Sequence, residues 1–302
     1  MPAPYRRHPM NMHVRISPEL GAWIAHNLER GCAVPDVVQA MLVQDFDPAV
    51  ASALVEAVVQ ARRAGLPLPQ GDVEVAFEES GYRPETPRLP AGPVIRTNDR
   101  DIVVALRVAQ PALAVLQGVL SAEECREIIA AGRERLRPST VMNPSTGRDG
   151  VAAHRSSDGM FFRPGETPLV GRLERRMAEL MNRPLRNGEG FQLLRYHPGA
   201  GSAPHFDFLT PGTAANDASL ARSGQRVASL VIYLSDVERG GETVFPEIGL
   251  AVTPRQGHAV HFEVANSRGD VDLKSVHAAA PVEAGEKWVL TKWVREREFV
   301  SA

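Results

Sequence analysis

The chain holds 302 residues, 43% of them hydrophobic and 23% charged, enough apolar material to bury a full core, so disorder throughout is excluded. Lys plus Arg is 34 against 36 for Asp plus Glu, a formal net charge of -2 at pH 7. That balance lacks the basic surplus of nucleic-acid binders and of proteins that coat anionic membranes, and neither partner is expected. The two cysteines, Cys32 and Cys125, are too few for a disulfide framework and are expected as reduced thiols packed in helices.

Met1 to Met12 carries Arg6, Arg7 and His8 with no apolar run of signal-peptide length behind them. The longest apolar stretch, Val227 to Leu234, is interrupted by Ser229 and falls far short of the roughly 20 residues that cross a bilayer. A cytoplasmic protein is expected. Ser17 followed by Pro18 predicts a capped helix start, with Trp23, Ile24 and Leu28 on one face. A second helix is predicted near Pro35, with Val37, Val38, Met41 and Leu42 as its apolar residues. Asp47-Pro48 opens a third, striped by Val50, Leu54, Val58 and Ala61 and ended by Gly65. Residues 1–65 therefore read as a small all-α domain. Between Leu66 and Asp99 the composition turns to Pro67, Pro69, Gly71, Gly81, Pro84, Pro87, Pro90, Gly92 and Pro93, which predicts a linker over 66–99.

From residue 100 onward short β-type runs dominate: Ile102 to Val108, Leu113 to Leu116, Phe191 to Tyr196, Val227 to Leu234, Gly249 to Val252, Ala259 to Val264 and Trp288 to Val294. Two helices interrupt them. One starts at a capping box, Ser121 with Glu124, and runs to about Leu136; the other follows Thr167-Pro168 and carries Leu169, Leu173, Met177, Leu180 and Met181. Leu209 to Gly224 has loop composition and is predicted to be a mobile lid. The pattern predicts a mainly β sandwich or barrel with helical support.

Chemistry concentrates at His205-Phe206-Asp207. On a strand, residues i and i+2 face one side, so imidazole and carboxylate can share a cation. His277 is the candidate third ligand. Two histidines and a carboxylate leave open positions that suit Fe(II) enzymes binding a co-substrate and dioxygen side by side. Ten residues on, Lys287 opens an otherwise apolar run. A lysine pointing inward there is costly unless an anion meets it, and the plainer alternative is a lysine snorkelling at a strand start.

Residues 100–298 resemble the prolyl 4-hydroxylase type of Fe(II)- and 2-oxoglutarate-dependent dioxygenases. The resemblance is carried by Leu194-Arg195-Tyr196-His197-Pro198-Gly199, His205-Phe206-Asp207, Gln225-Arg226-Val227-Ala228, Tyr233-Leu234-Ser235-Asp236-Val237, the run Gly240 to Pro246, and His277 through Gly285-Glu286-Lys287-Trp288. It implies a double-stranded β-helix, or jelly roll, with the metal at its open end. It further implies that His205, Asp207 and His277 ligate Fe(II), and that Lys287, supported by the hydroxyls of Tyr196 and Thr243, pairs with the far carboxylate of 2-oxoglutarate. By the same resemblance Arg226 contacts the substrate near the iron and Trp293 lines the pocket. At the level of single residues Tyr196 and Trp293 also suit the core, and Arg226 also suits a solvated strand start.

The implied reaction is hydroxylation of a C–H bond, of a prolyl or other residue in a peptide or protein, with release of succinate and CO2 and with ascorbate as an accessory. Ser202 stands three residues before His205, where peptidyl-proline hydroxylases often carry an aromatic ring, and a free amino acid or small metabolite is therefore an alternative substrate. A non-catalytic sensor of 2-oxoglutarate or iron is the alternative from another class. Gly240 and Gly241 read as a turn that lets the chain approach the site. His258 and His261 read as structural, and His154 as a candidate for the pocket rim. The helical N-terminal domain is a candidate for substrate recognition, for homo-oligomerisation or for covering one face of the jelly roll.

Overall fold

The computed structural model describes residues 10–42, 46, 48–77, 82–138, 140–143, 148–151, 157–211 and 214–301. It divides into two units, Met1–Gly81 with Val141–Ala153, and Tyr82–Thr140 with His154–Ala302. Asp47 and His154 lie outside the described residues.

In the first unit the Ser17 hydroxyl accepts from the Leu20 amide and Pro18 occupies the first turn, so α1 (Pro18–Glu29) starts where its capping residues dictate. α2 (Val34–Leu42) buries Val37 and Met41, and α3 (Pro48–Arg63) buries Val50, Leu54 and Val58. Two strands accompany the helices: β1 (Met10–Ile16) runs antiparallel to β2 (Gly71–Phe77), with Ile16 opposite Gly71. The unit is thus not purely helical, and β2 lies within the segment expected to be a linker. Cys32 sits exposed in the turn between α1 and α2 rather than in a helix, whereas Cys125 is buried in a helix as expected.

The second unit contains β3 (Val94–Arg96), β4 (Asp101–Val108), β5 (Leu113–Gln117), α4 (Ala122–Gly132) and β6 (Arg137–Pro138). The hairpin β7 (Thr140–Asn143) and β8 (Arg148–Val151), next in the chain, belongs from Val141 onward to the first unit; the second unit continues with β9 (Ser157–Phe161), α5 (Pro168–Leu180), β10 (Gln192–Tyr196), β11 (Ser202–His205) and α6 (Ala214–Ser223). It closes with β12 (Arg226–Tyr233), β13 (Arg239–Gly240), β14 (Thr243–Phe245), β15 (Leu250–Val252), β16 (Ala259–Glu263), β17 (His277–Ala279), β18 (Val282–Ala284) and β19 (Lys287–Arg295).

One sheet has the order β3-β4-β5-β16-β12-β19-β10-β9-β6 and a second the order β11-β17-β14-β15. Their inner faces meet where Phe245 of β14 packs edge-on against Phe262 of β16 at 5.1 Å. Two opposed antiparallel sheets make the expected jelly roll. Ile128 of α4 and Leu173 and Met177 of α5 join Leu230, Ile232 and Leu290 in one core. Helices therefore cover one face of the large sheet and the small sheet the other. That is why β19 is buried along its whole length and reads as a continuous apolar run.

Leu89 and Ile95, from the other half of the expected linker, belong to this core, and β3 is an edge strand of the large sheet. The expected lid contains α6. Its C-terminal end is tied down by Arg295, which donates to the carbonyls of Ser219 and Gly224, and by Arg297, which donates to those of Leu220 and Ala221. No helix of the described residues is long and apolar enough to cross a membrane.

Candidate metal and co-substrate site

β11 and β17 are neighbours in the small sheet, with His205 directly opposite His277. Pairing the two strands brings residues far apart in sequence to a ring separation of 4.4 Å. Asp207, two residues beyond His205, faces both rings: its Oδ1 lies 3.9 Å from His205 Nε2 and its Oδ2 3.7 Å from His277 Nε2. The three ligand atoms lie within 4.8 Å of one another. His277 begins β17, just after the short 3-10 turn Leu273–Ser275.

Each ring is oriented by its own backbone. His205 Nδ1 is 2.9 Å from the Ala203 carbonyl and His277 Nδ1 3.1 Å from that of Ser275. Donation from Nδ1 leaves the Nε2 lone pairs aimed at the shared space, the usual second contact of a metal-binding histidine. Asp207 is 5% exposed, and its Oδ2 has no hydrogen-bond partner among the described residues. Burial pushes this carboxyl up, but His277, His205 and Arg226 outweigh burial and bring it down to about 2. A buried, ionised carboxylate facing two imidazole Nε2 atoms is a donor set that fits a divalent transition metal.

Lys287 begins β19 opposite Tyr196 of β10. It is 2% exposed, and among the described residues no carboxylate lies within ion-pair distance. Its ammonium rests over the Tyr196 ring at 5.5 Å and the Tyr233 ring at 5.7 Å. Burial pulls it down to about 8, with Glu242 working against that fall. Thr243 is buried beside it and accepts a 2.8 Å bond from the Tyr233 hydroxyl, which leaves the Thr243 proton available to another acceptor. His205, Asp207, His277, Lys287, Tyr196, Thr243 and Trp293 all line one pocket, walled by Leu194, Val231 and Val289.

Arg226 lies over the Trp293 ring at 3.9 Å and donates to the Asp207 carbonyl at 3.3 Å. Glu189 grips it with two bonds of 2.7 and 3.0 Å and also accepts from Arg295. Burial pushes Glu189 up, and Arg226 and Arg295 together hold it below its ordinary value. Sequence reasoning missed Glu189 and Tyr233. Glu189 is a lone acid between Gly188 and Gly190 with no local pattern, and Tyr233 reads as the apolar end of a strand.

Ser202 is in the pocket wall and accepts from the Ala279 amide across the β11–β17 pair. His261 is buried in β16 and lies outside this pocket, as the structural reading expects, while His258 precedes that strand. Gly240 and Gly241 both have positive φ, and a Cβ on Gly240 would stand 2.3 Å from the Pro281 carbonyl oxygen. The turn that brings Thr243 to the pocket therefore requires glycine.

Residues 191–295 match the family model of the 2OG-Fe(II) oxygenase superfamily. Over 202 residues the chain is 38% identical to prolyl 4-hydroxylase 1 of Arabidopsis thaliana, spanning 62% of this chain and 70% of that protein. It is 36% identical over 179 residues to prolyl 4-hydroxylase subunit alpha-2 of Gallus gallus, spanning 59% of this chain and 33% of that one. Among solved structures, the viral collagen prolyl hydroxylase of Paramecium Bursaria Chlorella virus-1 in its 2OG complex is 28% identical, with a TM-score of 0.49, covering 61% of this chain and 95% of that one.

Proposed function

The chain belongs to the prolyl 4-hydroxylase family of 2OG-Fe(II) oxygenases and is a 2-oxoglutarate-dependent dioxygenase; on that premise we propose that it hydroxylates a prolyl residue in a peptide or protein, with release of succinate and CO2. His205, Asp207 and His277 would hold Fe(II), which when bound would supply the site at which dioxygen, the oxidant of the reaction, is activated. The protein's own part is to present three ligands in fixed orientation. The carbonyls of Ala203 and Ser275 keep each Nδ1 protonated and each Nε2 unprotonated.

Lys287 would pair with the far carboxylate of 2-oxoglutarate, and the Tyr196 and Thr243 hydroxyls would donate to its remaining lone pairs. The Tyr233 hydroxyl, by donating to Thr243 Oγ1, turns the Thr243 proton toward that carboxylate. A dicarboxylate taken out of water needs this combination of a cation and donors, or its desolvation is not offset. Leu194, Val231 and Val289 give the pocket apolar walls. Arg226, gripped by Glu189 and flat on Trp293, is placed to hold a substrate carbonyl beside Asp207.

The observation that carries this proposal is the pairing, in one pocket, of a three-ligand cluster with a buried lysine that has no carboxylate within ion-pair distance among the described residues. The test is the mass of a proline-containing peptide after incubation with Fe(II), 2-oxoglutarate and air. Gain of one oxygen with matching succinate supports the proposal. Succinate formed with free proline and not with any peptide would move the substrate to the small-molecule class.

A further inference from the structure

The segment from Tyr82 to Leu89, expected as part of a linker, is strapped onto the second unit. Asn266 donates to the Arg83 carbonyl at 3.3 Å, the Ser267 amide and hydroxyl donate to Glu85 at 3.0 and 2.8 Å, and Asn182 donates to the Arg88 carbonyl at 3.3 Å. The Arg88 amide in turn donates to Glu263 Oε1 at 2.6 Å. Between this strap and the sheet lies a cavity of about 200 Å³, walled by Val227 and Ala265 and lined by Arg88, Arg183, Glu263 and Glu296. At ~30 Å³ for each water it has room for about six, or for one small organic molecule. The cavity is separate from the metal pocket. Phe262 of β16 turns its ring to His277 at 4.7 Å, and Glu263, next along the strand, faces the other side of the sheet. No described residue lines both spaces.

Two charges of opposite sign face this cavity without partners. Glu263 is 7% exposed, and beyond the Arg88 amide nothing among the described residues donates to its carboxylate. Arg183 is placed by the end of α5: Asn182 turns the chain at a φ of +49, and the Arg183 amide bonds to the Ala178 carbonyl at 2.9 Å. Its Nε is buried with no hydrogen-bond partner among the described residues. Arg88 adds a second positive charge beside it. Arg183 and Glu263 attract each other across the space and do not meet, and burial pulls the guanidinium down and pushes the carboxyl up. The other two acids of the lining are engaged: Glu85 by Ser267, and Glu296 by the Gln225 amide at 3.3 Å.

We propose that this cavity binds a free amino acid with a small side chain, its carboxylate received by Arg183 with Arg88 beside it and its ammonium by the open oxygen of Glu263. A guanidinium fork matches a carboxylate with two parallel bonds, and an ammonium is a point donor that a single carboxylate oxygen can hold. A simple anion would meet Glu263, Glu85 and Glu296 in the same lining, and a simple cation would meet both arginines. Water supplies hydrogen bonds and leaves two buried opposite charges unmatched. A zwitterion offsets both at once, and Val227 and Ala265 offer its side-chain carbon an apolar wall.

The test is isothermal titration calorimetry of L-alanine, L-serine and L-proline into the full chain at pH 7 in EDTA, so that no metal at His205, Asp207 and His277 chelates the ligand. At least one of the three is expected to bind with a Kd below about 1 mM. Its N-acetyl derivative, which lacks the ammonium, and its amide, which lacks the carboxylate, should each bind at least about tenfold more weakly, the value of one hydrogen-bonded charge. Arg183→Met and Glu263→Gln should weaken the amino acid to the same degree, and Lys287→Met should leave its affinity unchanged. The melting temperature of ligand-free Arg183→Met and Glu263→Gln should be no lower than that of the wild type, because each removes a charge that burial disfavours.

No heat from any of the three amino acids at about 10 mM would overturn the proposal. Equal affinity for either derivative would also overturn it, by showing a site that reads one charge alone. Binding that is lost in Lys287→Met and kept in Arg183→Met would place the ligand in the metal pocket, with the same consequence. The two derivatives are read on the wild-type chain, so the outcome does not depend on the folding of any variant.

Discussion

Replacing Lys287 by Met should make the ligand-free protein more stable and abolish its response to 2-oxoglutarate. The ammonium sits 2% exposed, and burial brings it from its ordinary 10.5 to about 8. At about 1.4 kcal/mol for each pH unit, holding that charge in the fold costs about 3 kcal/mol. Below pH 8 both folded and unfolded chains carry the proton and the cost is borne in full. Between pH 8 and 10.5 the folded chain releases its proton first, so wild-type stability should rise with pH through that window. Met removes the charge while keeping most of the side-chain volume. At pH 7 the variant should gain about 2–3 kcal/mol, roughly 5–10 °C in melting temperature for a unit of this size, and lose the rise above pH 8. In the wild type, anaerobic Fe(II) with 2-oxoglutarate at about a hundred times its Kd should add about 2.7 kcal/mol. The variant should show none of this. Thermal denaturation at pH 7 and pH 9.5, with and without 2-oxoglutarate, reads all four quantities. A variant that melts lower than wild type without ligand, or that still shifts with 2-oxoglutarate, would refute the assignment of Lys287 as an anion receptor.

Asp207→Asn and His277→Ala should each abolish tight binding of Fe(II) or Mn(II) in calorimetry. Because a metal competes with protons for its ligands, wild-type affinity should be lower in acid than at neutral pH, with Asp207, held at about 2, ionised in both; an affinity that rises on acidification would contradict the ligand set. Glu189→Gln removes the anion shared by Arg226 and Arg295 and should cost about 3 kcal/mol in a urea titration at neutral pH. Since the Glu189 carboxyl is held below its ordinary value, the wild type should lose that advantage as pH falls through its folded value, and the two curves should converge in acid. Gly240→Ala places a Cβ 2.3 Å from the Pro281 oxygen at a φ of +75 and should cost at least about 1 kcal/mol, with weaker 2-oxoglutarate binding; a melting temperature equal to wild type would show that the turn relaxes freely.

What the sequence disclosed was written in local patterns. Ser17-Pro18, Ser121 with Glu124, and Thr167-Pro168 mark three helix starts because capping is decided within one turn. His205 and Asp207 announce themselves as a His-x-Asp pair close in sequence, although Asp207 lies just past the end of β11 and not on the strand. Lys287 stands out as a charge heading an apolar run.

Tertiary structure decided the rest. α6 has no apolar stripe, and its place follows from Arg295 and Arg297 more than 70 residues away. β2 and β3 escape notice among prolines and glycines because their partners, β1 and β4, supply the hydrogen bonds that define them. β11, β14 and β17 have 3 or 4 residues each, too few to show a period, yet their pairing sets His205 against His277. Glu189 gains meaning only from what lies across the sheet.

The most direct test is succinate release coupled to peptide oxidation, measured with the wild type beside Asp207→Ala and Lys287→Met, each loaded anaerobically with Fe(II) and then exposed to air with 2-oxoglutarate and proline-containing peptides. The account predicts peptide-dependent succinate from the wild type, matched by peptide gaining one oxygen, and neither product from the variants. Succinate and oxidised peptide from either variant at the wild-type rate, or a wild type that binds iron and 2-oxoglutarate yet yields neither product with any substrate offered, would contradict it.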